Sequence, residues 1–400
     1  MAHPLAPGVC RARYGAPCYG VPQLGRTYGL DRLHRSGLDG HGQDVVLIMP
    51  FHDPRLRRAV TAFSREYGLG APRLRVIRRG HAVQTVSESK PQQVAAAVET
   101  ELDVQMIRTT APGARITVIE VDGQWGPTTD MSTAADTAVW AARHLRPAAI
   151  SMSYGWAEAA YREAGGGGVA RLRRQNAALR RAAAAGTTLL AATGDAGPTA
   201  WNLAGTGLYK HRAVNFPASS PAVVGVSGTE LHLADSGARR SADTVWSDTN
   251  GNGTATGGGL SDIFTRPTWQ PSRAGARRAL GDVSMVGSSQ SRVWCYTGYQ
   301  ALAGQAKGWN RVAGTSMSAP LMAGLVAVAA QRAGHRLGNL NPALHHLARL
   351  HGARGGFADI TRGCNSANHV RGWCAHRGTD APSGIGTVRD ATRFVAALAR

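Results

Sequence analysis

Short apolar runs alternate with helix-like segments along most of this chain, and this alternation constrains the fold more than any other feature. Residues 44–50 form an apolar run typical of a buried strand, and residues 114–121 form a second one. Between them, the pattern predicts a helix over 55–67, a strand over 73–77 and a helix over 91–109. Strands that alternate with helices favour an α/β fold, with a mostly parallel sheet covered by helices on both faces.

The same alternation continues through the second half of the chain. In sheets of this kind, ligands bind beyond the carboxyl ends of the strands. Two turns that could serve this purpose, Ser151–Gly155 and Thr193–Gly197, follow apolar runs. The further predicted elements are a helix over 130–145, a strand over 148–155, a helix over 170–185, strands over 187–193 and 222–227, and an apolar helix that follows Ser316 and ends near Gly334.

The composition argues against several classes of protein. The formal net charge is +20, but the arginines are scattered through predicted loops and helix surfaces. A nucleic-acid-binding protein needs basic residues gathered on one face, so a bias toward arginine codons explains the charge better. No segment reaches the roughly 20 apolar residues that span a bilayer. We therefore expect no nucleic-acid and no membrane partner. Residues 1–35 resemble an irregular segment, and residues 36–400 are expected to form one domain.

Five cysteines are present, and none belongs to a CxxC pair, which argues against a structural zinc site. Cys10 and Cys18 are close enough in sequence to pair, and so are Cys364 and Cys374, although spacing does not establish connectivity. Two local disulfides would suit an oxidising compartment. The first residues lack the apolar core of a signal peptide, so the sequence itself carries no export signal that we can identify.

The strongest local motif is Gly314–Pro320, GTSMSAP, at the start of the apolar helix. A serine at a helix N-terminus lies beside free backbone N–H groups and the positive end of the helix dipole. That position suits a nucleophile whose reaction intermediate becomes an oxyanion. The alternative is a simple N-cap that precedes a buried helix. The complete motif favours Ser316 as a nucleophile.

Two carboxylates in the predicted helix 91–109 are candidates for the base. Glu99 and Asp103 are four residues apart, so they lie on one helix face. If buried together, the two groups would share a proton and one pKa would rise. The alternative is an exposed acidic face, which is the usual position of such pairs. The apolar residues around them favour burial.

Together these motifs resemble the sedolisin family of serine-carboxyl peptidases, which share the subtilisin fold. GTSMSAP is similar to the subtilase nucleophile motif, and Ser151–Gly155 and Thr193–Gly197 are similar to the substrate-binding strand and the oxyanion turn. Ordinary subtilases place an Asp after their first strand and a His base further along the chain. Here the first strand ends in Met49-Pro50, and His41-Gly42, which is similar to the His motif, precedes that strand. The usual Asp and His are therefore missing, and the carboxylate helix lies near the position where subtilases have their His helix.

The resemblance implies a role for each of four residues. Ser316 would be the nucleophile, Glu99 its general base, and Asp103 the group that hydrogen-bonds and orients Glu99. Asp195 would be the oxyanion-hole acid. A carboxyl donates a hydrogen bond only when it is protonated, so the resemblance implies activity in acid that is lost toward neutral pH.

The resemblance also implies substrate-binding and metal-binding residues. Substrate would bind along the segment that ends in Ser151, Ser153, Tyr154 and Gly155. The C-terminal region is similar to the calcium loop of the family, although an ordinary Asp/Gly turn cluster is the alternative. The implied calcium ligands are the carboxylates of Asp359 and Asp380 and the backbone carbonyls of Ile360, His376 and Gly378.

The sequence therefore predicts an acid-active serine-carboxyl peptidase that hydrolyses peptide bonds through an acyl-enzyme. Its expected partners are polypeptide substrates, it is expected to act as a monomer, and the family resemblance implies a secreted protein. Endopeptidase and tripeptidyl-peptidase activity both stay open. The rival interpretation is an inactive peptide-binding protein on the same fold.

Overall fold

One large sheet organises the chain, in a computed structural model that describes residues 3–123, 132–248, 253–271, 275–300 and 306–400. Within the described residues the main sheet has ten strands. The strands in the described part of the chain are β1 (Cys18–Tyr19), β2 (Asp44–Pro50), β3 (Leu74–Arg79), β4 (Arg115–Val121), β5 (Ala149–Met152), β6 (Trp156–Ala157), β7 (Thr188–Ala192), β8 (Asn215–Phe216), β9 (Val224–Glu230), β10 (Thr244–Val245), β11 (Gly259–Thr265), β12 (Arg277–Leu280), β13 (Val283–Val286), β14 (Arg292–Thr297), β15 (Gly308–Val312), β16 (Phe357–Ala358) and β17 (Thr387–Val388). The order of the main sheet is β16-β17-β13-β9-β7-β5-β2-β4-β3, with β10 beside β9.

Neighbouring strands from β3 to β17 run parallel, whereas β16 and β10 pair antiparallel at the periphery. This arrangement confirms the expected mostly parallel sheet. The α-helices of the described residues are α1 (Pro7–Tyr14), α2 (Val21–Tyr28), α3 (Leu30–Arg35), α4 (Leu56–Glu66), α5 (Pro91–Thr110), α6 (Ser132–His144), α7 (Glu158–Glu163), α8 (Gly168–Ala184), α9 (Thr315–Ala333), α10 (Asn341–His351) and α11 (Ala391–Leu398).

The central strand β2 shows why both faces of the sheet are covered. Successive side chains of a strand point to opposite faces. Val45 and Leu47 therefore belong to one apolar core, which includes residues of α5 and α9, while Val46 and Ile48 belong to another, which includes residues of α6 and α8. All four side chains are fully buried. A strand buried on both faces appears in sequence as an uninterrupted apolar run, which is what residues 44–50 show.

Helices α5 and α9 pack against each other on the same side of the sheet. The Thr110 hydroxyl, at the end of α5, donates a hydrogen bond of 3.0 Å to the Leu321 carbonyl of α9. Helix α9 is apolar around its whole circumference because it is enclosed by β5, β7, β9, β13, α5 and α11. This packing brings the carboxylates of α5 close to the N-terminus of α9.

Most expected elements agree with the structure to within a few residues. The strand expected over 148–155 is shorter, however, because the chain leaves the sheet after Met152. Trp156 then pairs antiparallel with Phe216 in a separate two-stranded ribbon. The helix expected over 130–145 is present as α6, and the first two residues of that prediction lie outside the described residues.

The expectation that residues 1–35 are irregular was wrong. Residues 1 and 2 lie outside the described residues, and the remainder contains helices α1, α2 and α3 and strand β1. Leu24, Tyr28 and Leu33 are buried in the main core, and the backbone N–H of Val286 donates to the Tyr28 hydroxyl at 2.9 Å. Such short helices have weak periodicity, and their stability comes from tertiary packing that the local sequence does not reveal.

Two disulfides join Cys10 to Cys18 and Cys364 to Cys374, which confirms the local pairings that spacing allowed. Cys295 is a free thiol, and it is buried. Among the described helices we find none with the length and apolarity required to cross a bilayer.

Candidate active site

Ser316 is the second residue of α9, at the carboxyl end of the parallel sheet. The residue is partly accessible to solvent, whereas most of α9 is fully buried. The first N–H groups of a helix have no intrahelical acceptor, so the backbone N–H of Ser316 lies outside the hydrogen-bond ladder of α9. The structure therefore places a hydroxyl, a backbone donor and the positive helix terminus together at an open surface.

Glu99 and Asp103 lie on α5, beside Ser316. The Ser153 hydroxyl donates to Asp103 Oδ1 at 2.7 Å, and Asp103 is fully buried. Glu99 is partly exposed as a residue, but its Oε1 atom is shielded from solvent. Neither Glu99 Oε1 nor Asp103 Oδ2 has a hydrogen-bond donor among the described residues. The pair is therefore not the exposed acidic face that was the alternative.

Burial raises the pKa of both carboxyls. Burial is the largest cause for Glu99, and the nearby Asp195 carboxylate adds to it, while the hydroxyls of Ser316 and Ser153 oppose the rise. For Asp103 burial is again the main cause, and the charge of Glu99 raises its pKa further. Two acids in this arrangement favour the state in which they hold one proton between them.

Asp195 lies in the turn after β7, next to the first residue of α9. Its Oδ1 accepts hydrogen bonds from the backbone N–H and the hydroxyl of Thr315, at 2.7 and 2.8 Å. Its Oδ2 lies beside Gly314, where a Cβ would be only 2.8 Å from it, and Gly314 has a φ of +136° that side chains rarely adopt. These two constraints explain the glycine of the GTSMSAP motif. Burial raises the pKa of Asp195, although the two bonds from Thr315 oppose the rise.

A cleft of about 630 Å³ opens over Asp195 and Ser316. Ser153, Tyr154 and Gly155, which the family resemblance assigns to substrate binding, line the same cleft. Ser151 does not line the cleft. It lies within β5 and is fully buried, so its predicted contact with substrate was wrong. The side chains of a strand alternate between faces, and the sheet ends before residue 153, which a sequence pattern does not locate to one residue.

Sequence reasoning missed several cleft residues. Trp201 is 59% exposed and lies in the cleft wall, where a large exposed aromatic is unusual. Asn368 reaches the cleft from a loop near the C-terminus. Thr315 belongs to the GTSMSAP motif, but the motif did not reveal that Thr315 holds Asp195 in place. An exposed tryptophan in a Gly-rich segment gives a weak sequence signal, whereas Asn368 gives none because its contacts are distant in sequence.

The predicted calcium ligands converge near one turn. The backbone N–H of Gly378 donates to Asp359 Oδ2 at 2.8 Å, and that of His376 donates to Asp380 Oδ2 at 3.1 Å. No described backbone N–H donates to the carbonyl oxygens of Ile360, His376 or Gly378. Within the described residues no cluster of three or more His, Cys, Asp or Glu side chains exists, so a metal here would depend on carbonyl oxygens. An all-oxygen set with two carboxylates fits calcium chemistry.

A subtilisin-like fold with a serine and buried carboxylates at its cleft defines a serine-carboxyl type of site. Comparison with known proteins agrees with that class. The subtilase family profile matches residues 92–345. Kumamolisin from a Bacillus species is 34% identical over 365 residues, which is 88% of this chain and 59% of the relative. Sedolisin from a Pseudomonas species is 32% identical over 202 residues, which is 49% of this chain and 32% of the relative.

The solved structure of Pseudomonas sedolisin, in complex with two molecules of pseudo-iodotyrostatin, has a similar fold. The TM-score is 0.78 at 23% identity, over 95% of this chain and 98% of that structure. Human tripeptidyl-peptidase 1 is 30% identical over 220 residues, which is half of this chain and 35% of the relative. The chain thus spans between about one third and three fifths of the length of these curated relatives. It belongs to the subtilase family, within the sedolisin group.

Proposed function

We propose that this chain is an acid-active serine-carboxyl peptidase that hydrolyses peptide bonds in polypeptides. The observation that carries the proposal is the buried Glu99 and Asp103 pair beside a partly accessible Ser316. A carboxylate in contact with the hydroxyl can act as its general base without a histidine. The enzyme relatives kumamolisin and sedolisin add support.

In the proposed reaction the Ser316 hydroxyl attacks the carbonyl carbon of the scissile bond. Its proton passes to Glu99, which later donates it to the leaving amine, and water hydrolyses the resulting acyl-enzyme. Burial and the charge of Glu99 raise the pKa of Asp103, so ionisation of both carboxyls together is disfavoured. Glu99 accepts the hydroxyl proton only when it is ionised, so the base-competent state is an ionised Glu99 beside a protonated Asp103. A proton shared between the two carboxyls would also satisfy their two orphan oxygens.

Asp195 would stabilise the oxyanion in its protonated form. Because Oδ1 already accepts two hydrogen bonds from Thr315, the proton belongs on Oδ2. A buried acid with a raised pKa keeps this proton over a wider acid range than a solvated one. Above its pKa, Asp195 would place a negative charge where the transition state develops one, so activity would fall.

The raised pKa values of buried carboxyls support a fold that is suited to acid conditions. Burial raises the pKa of ten carboxyls among the described residues, so each of these groups binds its proton more tightly in the folded chain than in the unfolded chain. Their contribution to stability is greatest in acid and falls as the pH rises from the ordinary carboxyl pKa to the raised ones. The carboxyls whose pKa burial raises are Asp44, Asp53, Glu99, Glu101, Asp103, Glu158, Asp195, Glu230, Asp243 and Asp380.

We further propose a structural calcium site formed by the Asp359 and Asp380 carboxylates and the carbonyls of Ile360, His376 and Gly378. Calcium would tie the segment at 359–360 to the turn at 376–380. The hydrogen bond from the Gly378 backbone N–H to Asp359 already joins these segments, and the bond from the His376 N–H to Asp380 closes the turn. The two disulfides also suit an oxidising compartment, which supports the expectation of a secreted protein.

The deciding experiment is cleavage of an unfolded protein at about pH 4 and about pH 7. Carboxyl and histidine bases have ordinary pKa values in different parts of this range, so the two pH values distinguish them. Wild type is compared with Ser316→Ala, Glu99→Gln and the control Ser89→Ala, which replaces an exposed hydroxyl. We expect cleavage in acid only, unchanged in the control and lost in both active-site variants. Cleavage that persists in Ser316→Ala, or a neutral optimum, contradicts the mechanism. Peptide binding without turnover would instead favour an inactive peptide-binding protein.

A further inference from the structure

The loop between Cys364 and Cys374, here called the disulfide loop, forms part of the cleft wall. The disulfide closes its base. Ala367 and Val370 exchange backbone hydrogen bonds of 2.9 and 3.3 Å around a two-residue tip, Asn368-His369. Both tip residues have positive φ, 52° and 62°, as in the tight turns that join twisted strands. The loop is therefore constrained at both its base and its tip.

Asn368 connects this tip to the segments around Asp195. Its side-chain amide donates two hydrogen bonds, to the Ala196 carbonyl at 3.1 Å and to the Gly253 carbonyl at 2.8 Å. Ala196 directly follows Asp195 in the turn after β7. One amide group thus uses both of its N–H donors to join two separate segments of backbone.

The same segments are linked to each other by backbone hydrogen bonds. The N–H of Gly197 donates to the Ala255 carbonyl at 2.9 Å, and that of Ala255 donates to the Asp195 carbonyl at 3.0 Å. The disulfide loop also packs directly on this turn, since a Cβ on Gly197 would lie 2.6 Å from the Asn365 carbonyl oxygen. Gly197 has a φ of +72°, so the turn itself depends on glycine.

From these contacts we infer that Asn368 is a positioning residue, through which the disulfide loop holds the turn that carries Asp195 in its productive place. This inference rests on the proposed peptidase function. The position of an oxyanion donor matters to a fraction of an ångström, because its hydrogen bond is worth most in the transition state. Loss of the Asn368 contacts is therefore expected to lower kcat more than it raises KM.

Two variants reduce the number of donors at position 368 and keep its backbone conformation. Asn368→Gly accepts positive φ without strain and removes both donors. Asn368→Asp keeps the shape and the tolerance of positive φ, but it retains at most one donor, the O–H of a protonated carboxyl, so it cannot bond both carbonyls. The matched control is His369→Gly, because His369 occupies the same turn with positive φ, is exposed, and does not line the cleft.

A second comparison tests the role of the disulfide. The paired replacement Cys364→Ser with Cys374→Ser opens the disulfide loop. The paired replacement Cys10→Ser with Cys18→Ser removes a disulfide of similar sequence separation in the N-terminal part of the chain. Amide hydrogen exchange at Gly197 and Ala255 reports the turn directly and does not depend on catalysis.

For Asn368→Gly and Asn368→Asp we expect kcat to fall at least about 10-fold, with KM within about 3-fold of wild type. Exchange at Gly197 and Ala255 should accelerate in these variants and in the opened disulfide loop, but not in His369→Gly or the Cys10/Cys18 pair. An unchanged kcat, a change confined to KM, or unchanged exchange overturns the inference. If wild type itself shows no cleavage in acid, the proposed function fails, and the exchange data still decide whether Asn368 positions the turn.

Discussion

Replacing Glu101 with Gln is expected to make the folded chain less sensitive to rising pH. Glu101 lies on α5 between Glu99 and Asp103 in sequence, and it is fully buried. The backbone N–H of Gly298 is 3.0 Å from both of its carboxyl oxygens. Burial, reinforced by the charge of Asp53, raises the pKa of Glu101 to about 8.

The magnitude follows from linkage between protonation and folding. A pKa raised from 4.5 to about 8 means that the folded form holds this proton more tightly than the unfolded form. At about 1.4 kcal/mol per pKa unit, ionisation of Glu101 costs the folded state up to about 5 kcal/mol. Relaxation around a buried charge lowers this cost, so we expect about 2–4 kcal/mol. The loss begins near the ordinary pKa of Glu and is complete above the raised one.

The assay is urea unfolding at several values between about pH 4 and pH 9, which bracket the ordinary and raised pKa of Glu101. Wild type is compared with Glu101→Gln and with Glu66→Gln, which removes a carboxyl that is partly in solvent. The free energy of unfolding of Glu101→Gln should fall less steeply across this range than that of wild type, and Glu66→Gln should follow wild type. Parallel curves for wild type and Glu101→Gln would refute the argument that burial of this carboxyl makes the fold prefer acid.

Three further predictions concern the cleft and the calcium site. Asp195→Asn keeps a donor at every pH, so its activity should extend further toward neutral pH than that of wild type; an unchanged alkaline limb in the pH profile would exclude Asp195 as the titrating group. Ser153→Ala removes the hydroxyl that donates to Asp103 at 2.7 Å, so the kcat of cleavage should fall about 10-fold, whereas equal kcat would remove Ser153 from the supporting network. Calcium should raise the unfolding temperature of wild type and not of Asp380→Ala, measured after chelation and dialysis; equal shifts in both proteins would place the ion elsewhere.

Local sequence patterns predicted an element correctly where its conformation depends on the residues of that segment alone. The apolar run at 44–50 corresponds to β2 residue for residue, because a strand buried on both faces needs no polar positions. The motif Gly314–Pro320 located the start of α9, since its glycine and its helix N-terminus are local features. The N-terminal helices were missed because their burial depends on packing against distant parts of the chain.

The candidate site shows the same division between local and distant information. The four-residue spacing predicted that Glu99 and Asp103 lie on one helix face. That this face is buried, and that it lies beside Ser316, follows only from the packing of α5 on α9. Ser151 was assigned to the cleft because a sequence pattern does not show where a strand leaves its sheet.

The sequence by itself determined the parallel α/β class, the order of the motifs, and the absence of the Asp and His motifs that ordinary subtilases carry. These properties depend on residue type and on spacing along the chain. The tertiary structure alone decided which carboxyls lose contact with water, that Thr315 holds Asp195, and that Asn368 reaches the turn beside Asp195. Those properties depend on contacts between residues more than a hundred positions apart, and the shielding of charge from solvent arises only when such segments pack together.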